Sequence, residues 1–289
     1  MRMRFVMRGM VRSFWTLILG VLMVATMSAA QAGTLVASTH PLYLIAKAVT
    51  AGIEQPVALL PAASSGHDIT LKPSDRILLK NADFVVWFGP DYEAPLTNLL
   101  EHQRNAIALF DLKAFRRLPL RDLRGQPIAN SLDPHIWLDP ANAIGIAYAI
   151  ATVRAIQFPK LAPQYLHNAE IFSQQLLAVA ARERVSSSRA YWAYHDAYQY
   201  LEPSVQLRFA GALTTDPELP PSVGQLLWLS QHRPHADAVC VFAERPLSTA
   251  LIEKLRPVQS YPIDEVMADA NDFVLGWQAL VQDLKRCSH

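Results

Sequence analysis

Two kinds of apolar run alternate along this chain. The continuous ones, at 35–38, 57–60, 84–88 and 106–110, are short and mostly closed by Gly, Pro or polar residues. Uninterrupted apolar runs of that length predict strands buried on both faces, as in a parallel sheet. Between them the apolar residues become periodic, which predicts helices at 42–49 and 73–79 and one more before 106. Pro73 suits a helical first turn, where its missing N–H leaves no hydrogen bond unmade. After 188 the alternation resumes, with strands predicted at 190–194, 205–212, 238–243 and 258–263 and helices at 221–232, 246–255 and 272–285.

Between the two halves lie a polar, Arg-rich stretch at 112–133, read as loop, and two predicted helices at 141–156 and 163–184. The second carries Leu166, Ala169, Ile171, Leu176, Leu177 and Val179, an incomplete stripe that suits a bridge better than a buried helix. The expected fold class is therefore α/β with two lobes, each a mainly parallel sheet flanked by helices. One long helix joins them, and a metal site is expected in the inter-lobe cleft. The expected boundaries are 1–32 for a leader, 33–158 and 186–289 for the lobes, and 159–185 for the joining helix.

The leader follows from its own pattern. Arg2, Arg4, Arg8 and Arg12 precede an apolar run at 14–27 and then Ala30-Gln31-Ala32. A basic start, an apolar middle and a small-x-small end make a secretory signal peptide, cleaved here after Ala32. The apolar run is shorter than the span of about 20 residues that a bilayer requires. No cysteine follows it, so no lipid anchor is expected. Export also explains the two cysteines. Cys240 sits in an apolar run and Cys287 near the C-terminus, and in an oxidising compartment they read as one disulfide tying the last helix to a core strand. A buried free thiol plus an exposed one is the alternative. The balance of 26 basic and 25 acidic residues, net +1, offers no basic stripe for nucleic acid.

The chemistry centres on Asp133-Pro134-His135-Ile136-Trp137-Leu138-Asp139-Pro140. Each proline fixes its own φ and pushes the aspartate before it toward extended geometry, so His135 is held on a stiff backbone. His67, in Ser64-Ser65-Gly66-His67-Asp68, and His195, in Tyr194-His195-Asp196, occupy comparable junctions. His67, His195 and Asp264 all fall just beyond predicted strands, where ligands bind in open α/β sheets. Three imidazoles completed by a carboxylate or water form an N/O set that suits zinc. Taken singly, each histidine also reads as an ordinary structural or surface residue. Asp68 and Asp196 are candidates to orient neighbouring rings, and Glu244 reads as a buried ion-pair partner or a ligand. His40, His102, His167, His232, His235 and His289 read as loop or solvated positions, and Trp87, Trp137 and Trp192 as core.

Several segments occur in an order that resembles a known family. They are Leu59-Leu60-Pro61 with Gly66-His67-Asp68, Leu71-Lys72-Pro73-Ser74-Asp75, Asn81-Ala82-Asp83-Phe84-Val85-Val86-Trp87-Phe88-Gly89-Pro90, His135-Ile136-Trp137-Leu138-Asp139-Pro140, His195-Asp196-Ala197-Tyr198 and Cys240-Val241-Phe242-Ala243-Glu244. The whole mature chain is similar to the zinc-binding periplasmic proteins of the ZnuA type, the metal receptors of ABC importers. The resemblance implies that His67, His135 and His195 bind Zn2+ as transported cargo. It implies a family aspartate at Asp264, with water as the alternative fourth ligand. It also implies a monomeric periplasmic partner of an inner-membrane ABC permease, and no enzyme.

Manganese-type relatives tend to carry a carboxylate where this chain has His195, so the ligand set favours zinc. Two departures stand out. Many zinc-type relatives carry a His- and acid-rich mobile loop before the second ligand, whereas 111–134 here has no histidine and several arginines. Where some relatives have a glutamate before the first histidine, this chain has Gly66. The rival readings are a zinc hydrolase with three histidines and a metal-bound water, and an adhesin or metal buffer without a transporter. No general base or local metallohydrolase motif supports the hydrolase. Because neutral imidazole is the ligand, binding is expected to weaken as pH falls through the histidine range.

Overall fold

Each half of the chain builds one four-stranded, all-parallel sheet. The computed structural model describes residues 33–67, 69–184, 189–234 and 237–288. The expected leader at 1–32, Asp68, His235 and His289 lie outside the described residues. From Gly33 onward the chain forms one compact unit.

In chain order the first half runs β1 (Leu35–Ala37), α1 (His40–Val49), β2 (Val57–Ala58), α2 (Pro73–Asn81), β3 (Phe84–Trp87), α3 (Thr97–Leu100) and β4 (Ala106–Ala108). Two long helices follow, α4 (Pro140–Gln157) and α5 (Ala162–Arg182). The second half is β5 (Ala190–Ala193), α6 (Glu202–Val205), β6 (Arg208–Ala212), α7 (Val223–Gln231), β7 (Val239–Ala243), α8 (Thr249–Leu255), β8 (Val258–Pro262) and α9 (Phe273–Lys285). The sheet orders are β2-β1-β3-β4 and β6-β5-β7-β8, one strand plan used twice although the sequence shows no repeat. In each, the order reverses beside the first strand, between β1 and β3 and between β5 and β7. Ligands of open α/β sheets gather in the crevice beyond such a reversal.

Side chains alternate across a strand, and here the alternation sorts them into different cores. Leu35, Ala37, Phe84 and Val86 from the first sheet and Tyr191, Ala193, Cys240 and Phe242 from the second join a single apolar cluster with α4, α5 and α9. Their neighbours Val36, Val85 and Trp87 pack in a separate core with Leu79 of α2. Trp192, Val239 and Val241 pack with Leu226 and Leu229 of α7. The inner faces of both lobes thus share one continuous core, which opposes wide opening of the cleft.

Several boundaries and one stripe differ from the sequence reading. α4 and α5 pack on each other, and α5 also touches α1 and α9. The buried stripe of α5 is Tyr165, Ala169, Phe172, Leu176 and Val179, a regular spacing of four and three. Leu166, Ile171 and Leu177 face outward, 43%, 39% and 54% exposed. Residues 205–207 are not strand: Pro203 sits in the first turn of the short α6, and Gln206 leaves it with a left-handed φ of 51°. Arg154 of α4 is fully buried, where it pairs with Glu54 and donates to the Gly33 carbonyl at 2.7 Å. The Tyr165 hydroxyl also donates to Glu54, at 2.7 Å. Cys240 and Cys287 form the expected disulfide, with Cα atoms 5.9 Å apart. Among the described residues no helix is long and apolar enough to cross a membrane.

Candidate metal centre

Three rings converge from three different parts of the chain. His67 hangs on the loop after β2, His135 precedes the short turn Ile136–Leu138 that leads into α4, and His195 follows β5. Ring centroids lie 5.8 Å apart for His67–His135, 6.0 Å for His67–His195 and 5.6 Å for His135–His195. One ring nitrogen from each lies within 4.8 Å of the others.

His135 and His195 are buried, at 2% and 4% exposure, whereas His67 is exposed. The Nε2 atoms of both buried rings have no hydrogen-bond partner. An unsatisfied buried polar atom costs about 1–3 kcal/mol, so two converging ones point to a ligand that both would bind.

Carboxylates face the opposite side of both rings. His135 Nδ1 lies 2.8 Å from Asp133 Oδ1, which also accepts the His135 backbone N–H at 3.0 Å. His195 Nδ1 lies 3.2 Å from Glu244 Oε1. The Asp133 carboxylate at His135 Nδ1 favours the proton there and leaves the Nε2 lone pair facing inward, whereas Glu244 stands beside His195 without a hydrogen bond. Behind Glu244 sits fully buried Glu265. Burial pushes both carboxyls up, Glu265 furthest. His195, Glu244 and Glu265 thus form a second close group on the other side of the His195 ring.

Burial and the neighbouring charge of His135 lower the His67 pKa to about 4, although the exposed edge of this ring lets solvent limit the effect. Burial, then His135 and His67, hold His195 well below the usual histidine value. Both rings are therefore neutral at pH 7, the form that binds a metal.

The wall is aromatic. Tyr92 meets His67 edge-on at 4.9 Å, and Trp137 lies 5.3 Å from His135. Trp137 Nε1 donates to the Glu265 carbonyl at 2.9 Å, so the His135 segment is tied to the second half. Tyr92 also accounts for Gly66. A Cβ there would come 2.3 Å from the Tyr92 ring, which leaves no room for the glutamate some relatives carry. Glu93 shapes the Tyr92 turn by accepting the Phe88 N–H at 2.6 Å and the Gly89 N–H at 3.3 Å, and burial pushes its carboxyl up to about 7.

The other candidates lie elsewhere. Asp264 belongs to neither close group; its carboxylate accepts the N–H of Val266 at 3.0 Å and of Ala268 at 2.6 Å. His40 Nε2 is 3.0 Å from the Ala270 carbonyl. Asp196 turns to Arg121 instead of to an imidazole. His102, His167 and His232 are exposed, and Trp87, Trp137 and Trp192 are buried core residues. Sequence reasoning missed Asp133, Glu265, Tyr92 and Glu93. Only Asp133 carried a usable signal, an aspartate two residues before a histidine and able to cap its N–H.

A two-lobed parallel α/β fold with three imidazoles converging at loop and turn ends is the architecture of a solute-binding protein, with a candidate metal site. The chain belongs to the ZnuA family, described as zinc-uptake complex component A, periplasmic, whose model matches residues 35–285. The family consists of solute-binding receptors for zinc transport and not of enzymes. Among its relatives, the high-affinity zinc uptake system protein ZnuA of Yersinia pestis is 30% identical over 246 residues, 75% of this chain and 77% of the relative. A crystal structure of ZnuA superposes with a TM-score of 0.74 at 19% identity, covering 90% of this chain and 100% of the other. Zn(II)-bound AdcA of Streptococcus pneumoniae superposes with a TM-score of 0.70 at 18% identity over 89% of this chain, which spans only 57% of that longer one.

Proposed function

We propose that this chain captures Zn2+ in the periplasm through His67, His135 and His195 and delivers it to an ABC-type permease of the inner membrane. The observation that carries this reading is the pair of buried, unpartnered Nε2 atoms converging with a third imidazole, all three at strand or turn ends. Neutral nitrogen donors suit zinc better than manganese. Water completes the shell, because the Asp264 oxygens are already held by backbone N–H groups. The lobes are 33–158 and 186–289, joined through 159–185, and their shared core lets metal exchange at the cleft mouth beside His67 without wide opening. The leader 1–32 is removed on export, and the mature chain works as a monomer.

The test is a titration of the mature chain against a competing chelator, with Zn2+ and Mn2+ in parallel. One Zn2+ per chain, bound at least ~100-fold more tightly than Mn2+, is expected from the ligand set. Equal affinity, or a preference for Mn2+, would overturn the metal assignment.

Asp133→Asn should lower zinc affinity by about 10- to 100-fold, the usual effect of disturbing a group that orients a ligand. The amide can present N–H instead of an acceptor to His135 Nδ1, and the same chelator competition reads the loss. For His67, an NMR titration of the metal-free chain should place the imidazole midpoint near 4. The unfolded chain protonates this ring near 6.5, so it takes up the proton first as pH falls. The stability supplied by the neutral ring is therefore complete above about 6.5 and is lost toward 4. Proton competition at His67 falls in this lower window, below the ordinary histidine range expected from sequence. A His67 midpoint at 6.5 or above would contradict the crowded geometry.

A further inference from the structure

The Arg-rich segment left without a role by its lack of histidines is an ordered hairpin. Ile128 N–H donates to the Leu120 carbonyl at 2.8 Å, Asp133 N–H to the Leu118 carbonyl at 2.8 Å, and Arg121 pairs antiparallel with Pro127. Its tip lies on the second sheet, where the Leu123 carbonyl accepts the Ala212 N–H from edge strand β6 at 3.0 Å.

Both ends of this hairpin reach a metal-ligating segment. Arg121 grips Asp196, the residue after His195, through two parallel bonds of 2.7 Å, Nε to Oδ2 and Nη2 to Oδ1. The same guanidinium pairs with Glu202 at 2.9 Å and lies 4.2 Å above the Phe209 ring. At the other end stands Asp133, which holds His135. Two residues of the second half clamp that end. Gln199 donates to the Pro119 carbonyl at 3.0 Å and to Asp133 Oδ2 at 2.9 Å. The Tyr200 hydroxyl accepts the Leu118 N–H at 2.9 Å and donates to the Asp133 carbonyl at 3.2 Å. An unbroken chain of bonds therefore runs from the His135 ring through Asp133, Gln199 and the hairpin to Arg121, Asp196 and the backbone of His195.

We propose that the hairpin 118–133 is a brace that sets zinc affinity by holding His135 and His195 in register across the two halves, with Arg121 as its positioning residue. This rests on the three-histidine reading above. A planar guanidinium that forks onto both carboxylate oxygens fixes angle as well as distance, which a lysine cannot reproduce. The brace touches no metal. It reduces the reorganisation that the two ligand segments would otherwise undergo on binding, and so it acts mainly on zinc dissociation.

The experiment uses the mature chain as wild type, Arg121→Ala, Arg121→Lys and Gln199→Ala. Zinc affinity and off-rate are measured by chelator competition, the Co2+-loaded visible spectrum reports ligand geometry, and metal-free melting reports stability. Arg121→Ala should still bind one metal per chain, with affinity lowered about tenfold or more, a faster off-rate and an altered Co2+ spectrum. Arg121→Lys should recover part of the affinity, and Gln199→Ala should shift in the same direction as Arg121→Ala. Wild-type off-rate and Co2+ spectrum in Arg121→Ala, whatever its melting temperature, would overturn the proposal and leave the hairpin a purely structural cover. Should Arg121→Ala not fold, Gln199→Ala decides by the same readouts. A wild-type chain that binds no zinc would overturn the receptor reading and the brace together, whereas zinc-binding wild type with unaffected variants overturns the brace alone.

Discussion

Replacing His195 with alanine is expected to weaken zinc binding by at least ~100-fold, more than the 10- to 100-fold typical of residues that only orient a ligand. At 1.4 kcal/mol per tenfold this is about 2.8 kcal/mol or more. The ring supplies one of the two buried Nε2 atoms that have no partner in the protein. Its loss leaves two imidazoles, one of them the exposed His67. The Glu244–Glu265 pair does not substitute readily, because burial raises both carboxyls and so disfavours the carboxylate form that would bind a metal. Chelator competition on the mature variant checks this. Affinity within tenfold of wild type would mean that the metal is held elsewhere.

The second large effect is on stability. Replacing Cys240 and Cys287 together by serine is expected to cost about 4 kcal/mol, from the chain entropy of a closed loop with the observed separation of 47 residues. The bond fastens the turn after α9 to β7, and both sulfurs are buried, at 0% and 1% exposure. Serine adds a polar group where an apolar sulfur packed, in the cluster shared by both lobes. Equilibrium urea unfolding of metal-free chain checks this, and a loss below about 1 kcal/mol would contradict it. Zinc stoichiometry should survive, since neither cysteine lies near the imidazoles in sequence or in the close groups.

The α/β alternation was legible because strands buried on both faces read as unbroken apolar runs, and seven of the eight start within a residue of the expected position. The exception, β6, shows the limit: Val205 and Leu207 are buried like strand residues, but Pro203 and the left-handed Gln206 make a turn of them. The stripe of α5 departs from a Leu-based pattern because the aromatic Tyr165 and Phe172 turn inward while Leu166 and Leu177 face out. What no local pattern could disclose is that alternate residues of β1, β3, β5 and β7 meet in one core, since that depends on how two sheets face each other.

At the site, position after a strand located His67 and His195 but did not give direction. Asp264 also follows a strand, yet its carboxylate turns back onto the N–H groups of Val266 and Ala268. Its neighbour Glu265 points to Glu244 and His195. Asp196 looked well placed to orient His195 and instead meets Arg121, a partner 75 residues away that sequence proximity could not suggest.

The central claim is that three imidazoles hold zinc in this chain, and zinc K-edge X-ray absorption on the zinc-loaded mature protein tests it most directly. The expected result is a shell of about four N/O ligands near 2.0–2.1 Å, with the outer-shell scattering of about three imidazole rings and no sulfur. An oxygen-only shell without imidazole scattering, or one that keeps all three rings when His195 is replaced by alanine, would contradict it.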